Sequence, residues 1–126
     1  MLHGQLRNDE QAVVELELVS ADGSIHSVSA VIDTGFNGQV SLSRRRVNEF
    51  NLKLTREGTI EIELASGTVI EEDIYSGAIR FDGKELVAEV ILTEAEDSFV
   101  GTGLLTGKVL LINFSTREVT VRDYIP

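Results

Sequence analysis

The chain of 126 residues has no cysteine, which excludes disulfides and thiolate chemistry alike. Its two histidines, His3 and His26, stand far apart in sequence. No grouping of His, Asp and Glu has the spacing of converging metal ligands, so neither a metal nor a cofactor is expected. Positive charge is scarce: 11 Lys and Arg stand against 21 Asp and Glu, for a formal net charge of −10. Nucleic acid and anionic membrane surfaces both recruit positive charge, so neither is an expected partner. No apolar run approaches the roughly 20 residues of a membrane-spanning helix. The opening residues, Met1 to Arg7, lack the apolar stretch of a signal peptide. The expectation is a soluble, cytoplasmic protein.

Several common chemistries fail on spacing. The run Gly101 to Lys108 has Thr102 where a phosphate loop needs glycine, and Val109 where it needs Ser or Thr. The carboxylates at Glu71, Glu72 and Asp73, and at Glu94, Glu96 and Asp97, lack the spacing of a calcium loop and read as solvated faces. Ser41, Ser43 and Asp33 form no triad with a placed histidine. Arg44-Arg45-Arg46 is a small basic run that reads as surface, available to an acidic partner chain.

What the chain does have is 42% hydrophobic residues in short alternating runs, with eleven glycines and one proline between them. Gln11 to Val19 alternates, with Val14, Leu16 and Leu18 on one face and Glu15 and Glu17 on the other. Asp22-Gly23 and Asp82-Gly83 are two-residue hairpin signals. Thr59 to Leu64 and Thr68 to Ile70 flank a tip of small residues. A longer strand follows from Asp73 to Phe81, interrupted at Ser76-Gly77, where a bulge or close backbone approach is expected. Glu85 to Thr93, Val109 to Phe114 and Glu118 to Arg122 complete the set, and Arg44 to Phe50 reads as a short helix with Ser43 as its cap. Residues 1–10 read as a loose terminus or an edge strand. The sum is about eight short strands in one all-β domain spanning residues 1–126, with no linker.

One stretch stands out. Ala30-Val31-Ile32-Asp33-Thr34-Gly35 drives apolar strand residues straight into an acid, a hydroxyl and a glycine. A carboxylate carried out of an apolar interior on a stiff turn is a candidate for chemistry. Phe99-Val100-Gly101-Thr102-Gly103 echoes it, with glycine in place of the acid.

These segments, in this order, resemble the retropepsin-like aspartic proteases of clan AA over roughly residues 12–122. Asp33-Thr34-Gly35-Phe36 is similar to the prokaryotic branch whose motif reads Asp-Thr-Gly-Phe. The resemblance implies a closed acid-protease β-barrel with one short helix, one barrel per chain, paired as a two-fold homodimer. It implies an aspartic endopeptidase acting on peptide or protein substrates, with Asp33 as the catalytic carboxylate. Thr34, Gly35, Phe36 and Asn37 would complete the active-site loop, with Thr34 bonding across the dimer axis. The hairpin from Ile62 to Ile70 would be a substrate-covering flap, with Leu64, Ala65, Ser66, Gly67 and Thr68 around its tip. Val100, Gly101, Leu104 and Leu105 would support the loop. The family usually has a small residue where Phe36 stands, and an acid where Asn37 stands. Two alternatives remain open: an inactive peptide-binding or scaffold protein on the same fold, and a monomeric barrel in which Asp33 is only a turn residue.

Overall fold

The computed structural model describes residues 1–126. In chain order the strands are β1 (Leu2–Arg7), β2 (Gln11–Val19), β3 (Ile25–Ile32), β4 (Val40–Ser43), β5 (Thr55–Glu63), β6 (Val69–Phe81), β7 (Lys84–Thr93), β8 (Ser98–Val100), β9 (Lys108–Ile112) and β10 (Glu118–Asp123). Two short helices interrupt them, α1 (Arg44–Glu49) and α2 (Thr102–Leu105). The strands form one sheet in the order β5-β6-β7-β4-β8-β3-β2-β1-β10-β9. A further pairing, Glu17 opposite Arg80 and Leu18 opposite Ile79, joins β2 to β6. The pairings from β6 through β7, β4, β8, β3 and β2 therefore return to β6 as a ring. The β5–β6 hairpin projects from one side of it, and β1, β10 and β9 extend from the other.

The alternation of β2 shows why the ring holds. Ala12, Val14, Leu16 and Leu18 are buried while Glu15 faces solvent. Each fully buried Val or Leu contributes about 1.5–3 kcal/mol. These side chains meet Ile79 and Phe81 of β6, Val90 of β7 and Val100 of β8 in one cluster of 17 residues, which also takes in Val119 and Val121 of β10. Ring and extension share that interior.

Several local expectations are corrected. Residues 2–7 are neither loose nor an edge: β1 is hydrogen-bonded to β2 on one side and β10 on the other. Gly4 permits this, because a Cβ there would strike the carbonyl of Val13. The two Asp-Gly pairs differ. Asp82 and Gly83 both adopt positive φ, 53° and 75°, in a two-residue turn. At Asp22 only Gly23 does, at 87°. There the Asp22 carboxylate accepts hydrogen bonds from Ser20 Oγ and Ser24 Oγ, both at 2.6 Å, and from the Ser24 amide. That local bonding selects a three-residue loop, Ala21–Gly23, closed by Ser20 N–H to Ser24 C=O. β6 runs unbroken through Ser76-Gly77, and the bulge falls opposite, on β5 between Arg56 and Gly58. What approaches Gly77 closely is the Leu54 side chain and not another stretch of backbone.

The helix content is two, not one. α2 has four residues, too few to show periodicity in a sequence. Ser43 sits at the N-cap position of α1 but its side chain makes no capping bond. The three arginines oppose the macrodipole of α1. They are held instead by the acidic loop and the helix itself: Arg44 pairs with Glu94, Arg45 with Glu96 and Arg46 with Glu49. The basic run is thus engaged within its own chain.

Candidate active site

β3 carries Val31 and Ile32 into the interior and releases Asp33 at the surface. The Asp33 amide donates to Val100 C=O at 2.9 Å, which ends β3 against β8. The Gly35 amide then turns back to donate to Asp33 Oδ1 at 2.9 Å, and the Phe36 amide donates to Asp33 C=O at 3.1 Å. One backbone amide thereby orients the exposed carboxylate, and a second closes the turn that carries it. Thr34, Gly35 and Asn37 are exposed beside it. The side-chain bonds of this loop, Gly35 to Asp33 and Thr102 to Phe36, leave the Thr34 hydroxyl uncommitted.

The echo segment lies directly alongside. β8 is parallel to β3, with Val31 opposite Phe99 and Ile32 opposite Val100, the register in which the two stretches of sequence align. Beyond the strands their loops are sewn together. Gly101 N–H donates to Gln39 C=O at 3.0 Å, Thr102 N–H to Phe36 C=O at 2.8 Å, and Gly103 N–H to Gly38 C=O at 3.0 Å. A Cβ on Gly101 would come within 2.6 Å of the Phe36 carbonyl oxygen, so only glycine allows the loops to approach this closely. Leu104 is buried below, and Leu105 packs at the margin of the core. The Phe36 ring lies against Gly38 and the Gly101 backbone. Part of it faces its own loop, and part forms the wall of a cleft.

That cleft has a volume of about 300 Å³. Asp33, Phe36 and Phe99 line one side, and Ile62, Leu64 and Ile70 of the β5–β6 hairpin line another. The hairpin tip is closed by Leu64 N–H to Thr68 C=O and Gly67 N–H to Leu64 C=O, both at 2.8 Å, with Gly67 at φ +86°. Of the five tip residues only Leu64 reaches the cleft; Ala65, Ser66, Gly67 and Thr68 stand exposed beyond it. A second cavity, of about 320 Å³, touches Asp33 and Thr34 together with Ala12 and Ile112.

Ile62 and Ile70, the bounds of the expected flap, line the cleft, in keeping with the period-two alternation through Ile60 and Ile62; Ile91 of β7 lines it too, with no signal in the sequence to single it out. The sequence reading misplaced Glu72. Glu71 and Asp73 are exposed as expected, but Glu72 is half-buried and lines the cleft.

No protein-family model and no curated protein matches the chain. Among solved structures it is similar to the EIAV protease complexed with the inhibitor HBY-793. The two superpose with a TM-score of 0.59 at 13% sequence identity, over 80% of this chain and 90% of that one. The fold is retropepsin-like. Within this retropepsin-like fold Asp33 occupies a strand-end loop braced by β8, facing a cleft that a projecting hairpin overhangs. No helix is long and apolar enough to cross a membrane.

Proposed function

We propose that this chain is one half of an aspartic endopeptidase, in which Asp33 from each of two copies meets across a two-fold axis. The observation that carries the reading is the cleft: one orientated carboxylate, a braced loop and the inner side of a hairpin converge on a cavity of about 300 Å³. The ring of strands serves as the family's closed barrel, and the β5–β6 hairpin as its flap. Thr34, exposed with an uncommitted hydroxyl, bonds its counterpart at the axis. Val100 and Gly101 brace the loop, and Leu104 and Leu105 pack beneath it.

A lone carboxylate at neutral pH is ionised and has no proton to give. Two carboxylates about 3 Å apart cannot both ionise, so they share one proton. The ionised member takes a proton from water as that water attacks the peptide carbonyl, and the protonated member donates to the carbonyl oxygen. The dyad titrates as a unit. The chain holds no second Asp-Thr-Gly or Asp-Ser-Gly, so the partner acid comes from a second copy. The face that carries Asp33 and Thr34 also carries Ile112 at the end of β9. β9 is an edge strand with exposed Leu111, and Phe114 just beyond it is exposed too; an isologous pairing would cover them.

Asp33→Asn is expected to abolish cleavage of a mixed peptide pool, by roughly three orders of magnitude or more, while sedimentation and circular dichroism stay unchanged. Cleavage that persists in the variant contradicts the assignment. Peptides bound in the cleft and left uncut by the unmodified protein support the alternative, a binding protein in which Phe36 closes off the chemistry.

A further inference from the structure

The inner face of the flap hairpin is apolar with one exception. Register places Ile62 opposite Ile70, Ile60 opposite Glu72 and Gly58 opposite Ile74. These half-buried positions alternate with exposed ones along both strands. Glu72 is therefore a carboxylate on an inward row of aliphatic residues, and it lines the same cleft as Asp33. Its sequence neighbours on the outer face have partners: Glu71 accepts from Thr59 Oγ1 at 2.7 Å, and Asp73 pairs with Arg56 at 3.0 Å. None of the chain's ion pairs includes Glu72. No Lys or Arg lines the cleft to neutralise it.

The half-buried Glu72 carboxylate shares the cleft with Ile62, Ile70 and Ile91, and its charge has no cationic partner in its own chain to offset it. A ligand cation would offset it. The lining narrows the choice further, because the neighbours of Glu72 on the inward row, Ile60, Ile62, Ile70 and Ile74, are aliphatic. A side chain that fits must be apolar along its length and charged at its tip, as lysine and arginine are. A cavity of about 300 Å³ accommodates either. The net charge of −10 adds a long-range field that draws cationic peptides toward the chain. An acidic side chain in the same place would meet both Glu72 and Asp33.

We infer that Glu72 is a specificity residue that makes the cleft prefer a peptide with lysine or arginine seated beside the Asp33 loop. The inference rests on reading the cleft as a peptide site; it does not require that the peptide be cut. It is tested by binding with Asp33→Asn protein, which keeps the cleft and cannot cleave, and three peptide pools fixed at one position as lysine, norleucine or glutamate. Fluorescence anisotropy is expected to rank lysine about tenfold tighter than norleucine, with glutamate weakest. Adding Glu72→Gln should bring lysine and norleucine within about threefold, and adding Glu72→Lys should place glutamate first. The near-isosteric Glu72→Gln carries the test if Glu72→Lys misfolds. A ranking that ignores residue 72, or no binding by any pool, overturns the inference. Cleavage by the unmodified protein is read separately. The expected ranking without cleavage sinks the peptidase reading alone, and Asp33-dependent cleavage without a lysine preference sinks this one alone.

Discussion

Asp33 owes its orientation to atoms of the main chain. Gly35 holds one carboxylate oxygen, and Val100 holds the Asp33 amide. Such a loop is only as stiff as its neighbours, and its closest neighbour is the backbone of Gly101 to Gly103. Gly101→Ala should therefore be a damaging single-methyl change. The new Cβ would meet the carbonyls of Gly38 and Phe36, which are backbone atoms and cannot swing aside as a side chain would. The expected outcome is a loss of roughly 1–3 kcal/mol of stability, seen in chemical denaturation, together with loss of cleavage. An alanine variant as stable and active as the parent would mean that the two loops do not brace each other. At this scale the sequence was informative. The aligned echo of Val31-Ile32-Asp33-Thr34-Gly35 and Phe99-Val100-Gly101-Thr102-Gly103 is the register in which β3 and β8 pair. Glu72 was not legible, because its two acidic neighbours make the triplet look like a solvated run. Only the register of the hairpin assigns it to the inner face.

At the scale of elements, what neighbouring residues decide was readable. The alternation of β2 and the turn at Asp82-Gly83 follow from neighbouring residues. β1 alternates over only Leu2, Gly4 and Leu6 and buries only Leu6, too short a signal to tell an inner strand from an edge; what makes it an inner strand is its second partner, β10, more than a hundred residues away. Asp123 ties β10 in turn to β9 and β7. From the end of β10 it accepts hydrogen bonds from Lys108 of β9 at 2.7 Å and Lys84 of β7 at 3.0 Å. These bonds, with the charges of the two ammonium groups, lower its pKa to about 2. A carboxyl whose folded pKa lies below its unfolded value of 3.8 stabilises the fold above that unfolded value. The contribution fades as pH falls through about 2. Asp123→Asn should thus lower the thermal midpoint near neutral pH, and the gap to the parent should close as pH drops from about 4 to about 2. The group is solvent-exposed, so the gap will be small. A gap independent of pH would show that the carboxylate's charge plays no part.

For the whole molecule, the proposed function has the consequence that, with one Asp-Thr-Gly per chain, the reacting centre belongs to neither copy alone. The ring of strands and its interior are complete in one chain, but Asp33, Thr34 and the exposed apolar residues near β9 stand open to solvent there. On the proposed reading fold and function separate by stoichiometry: one chain builds the scaffold and two build the site. Mixing tests this most directly. Unmodified chain and Asp33→Asn chain are unfolded together, refolded at a series of ratios, and assayed for peptide cleavage per total chain. If each site needs Asp33 from both copies, activity falls as the square of the unmodified fraction, to about a quarter at an equal mixture. A linear fall, to about half at an equal mixture, would mean that each chain carries a self-sufficient site, and would contradict the shared dyad.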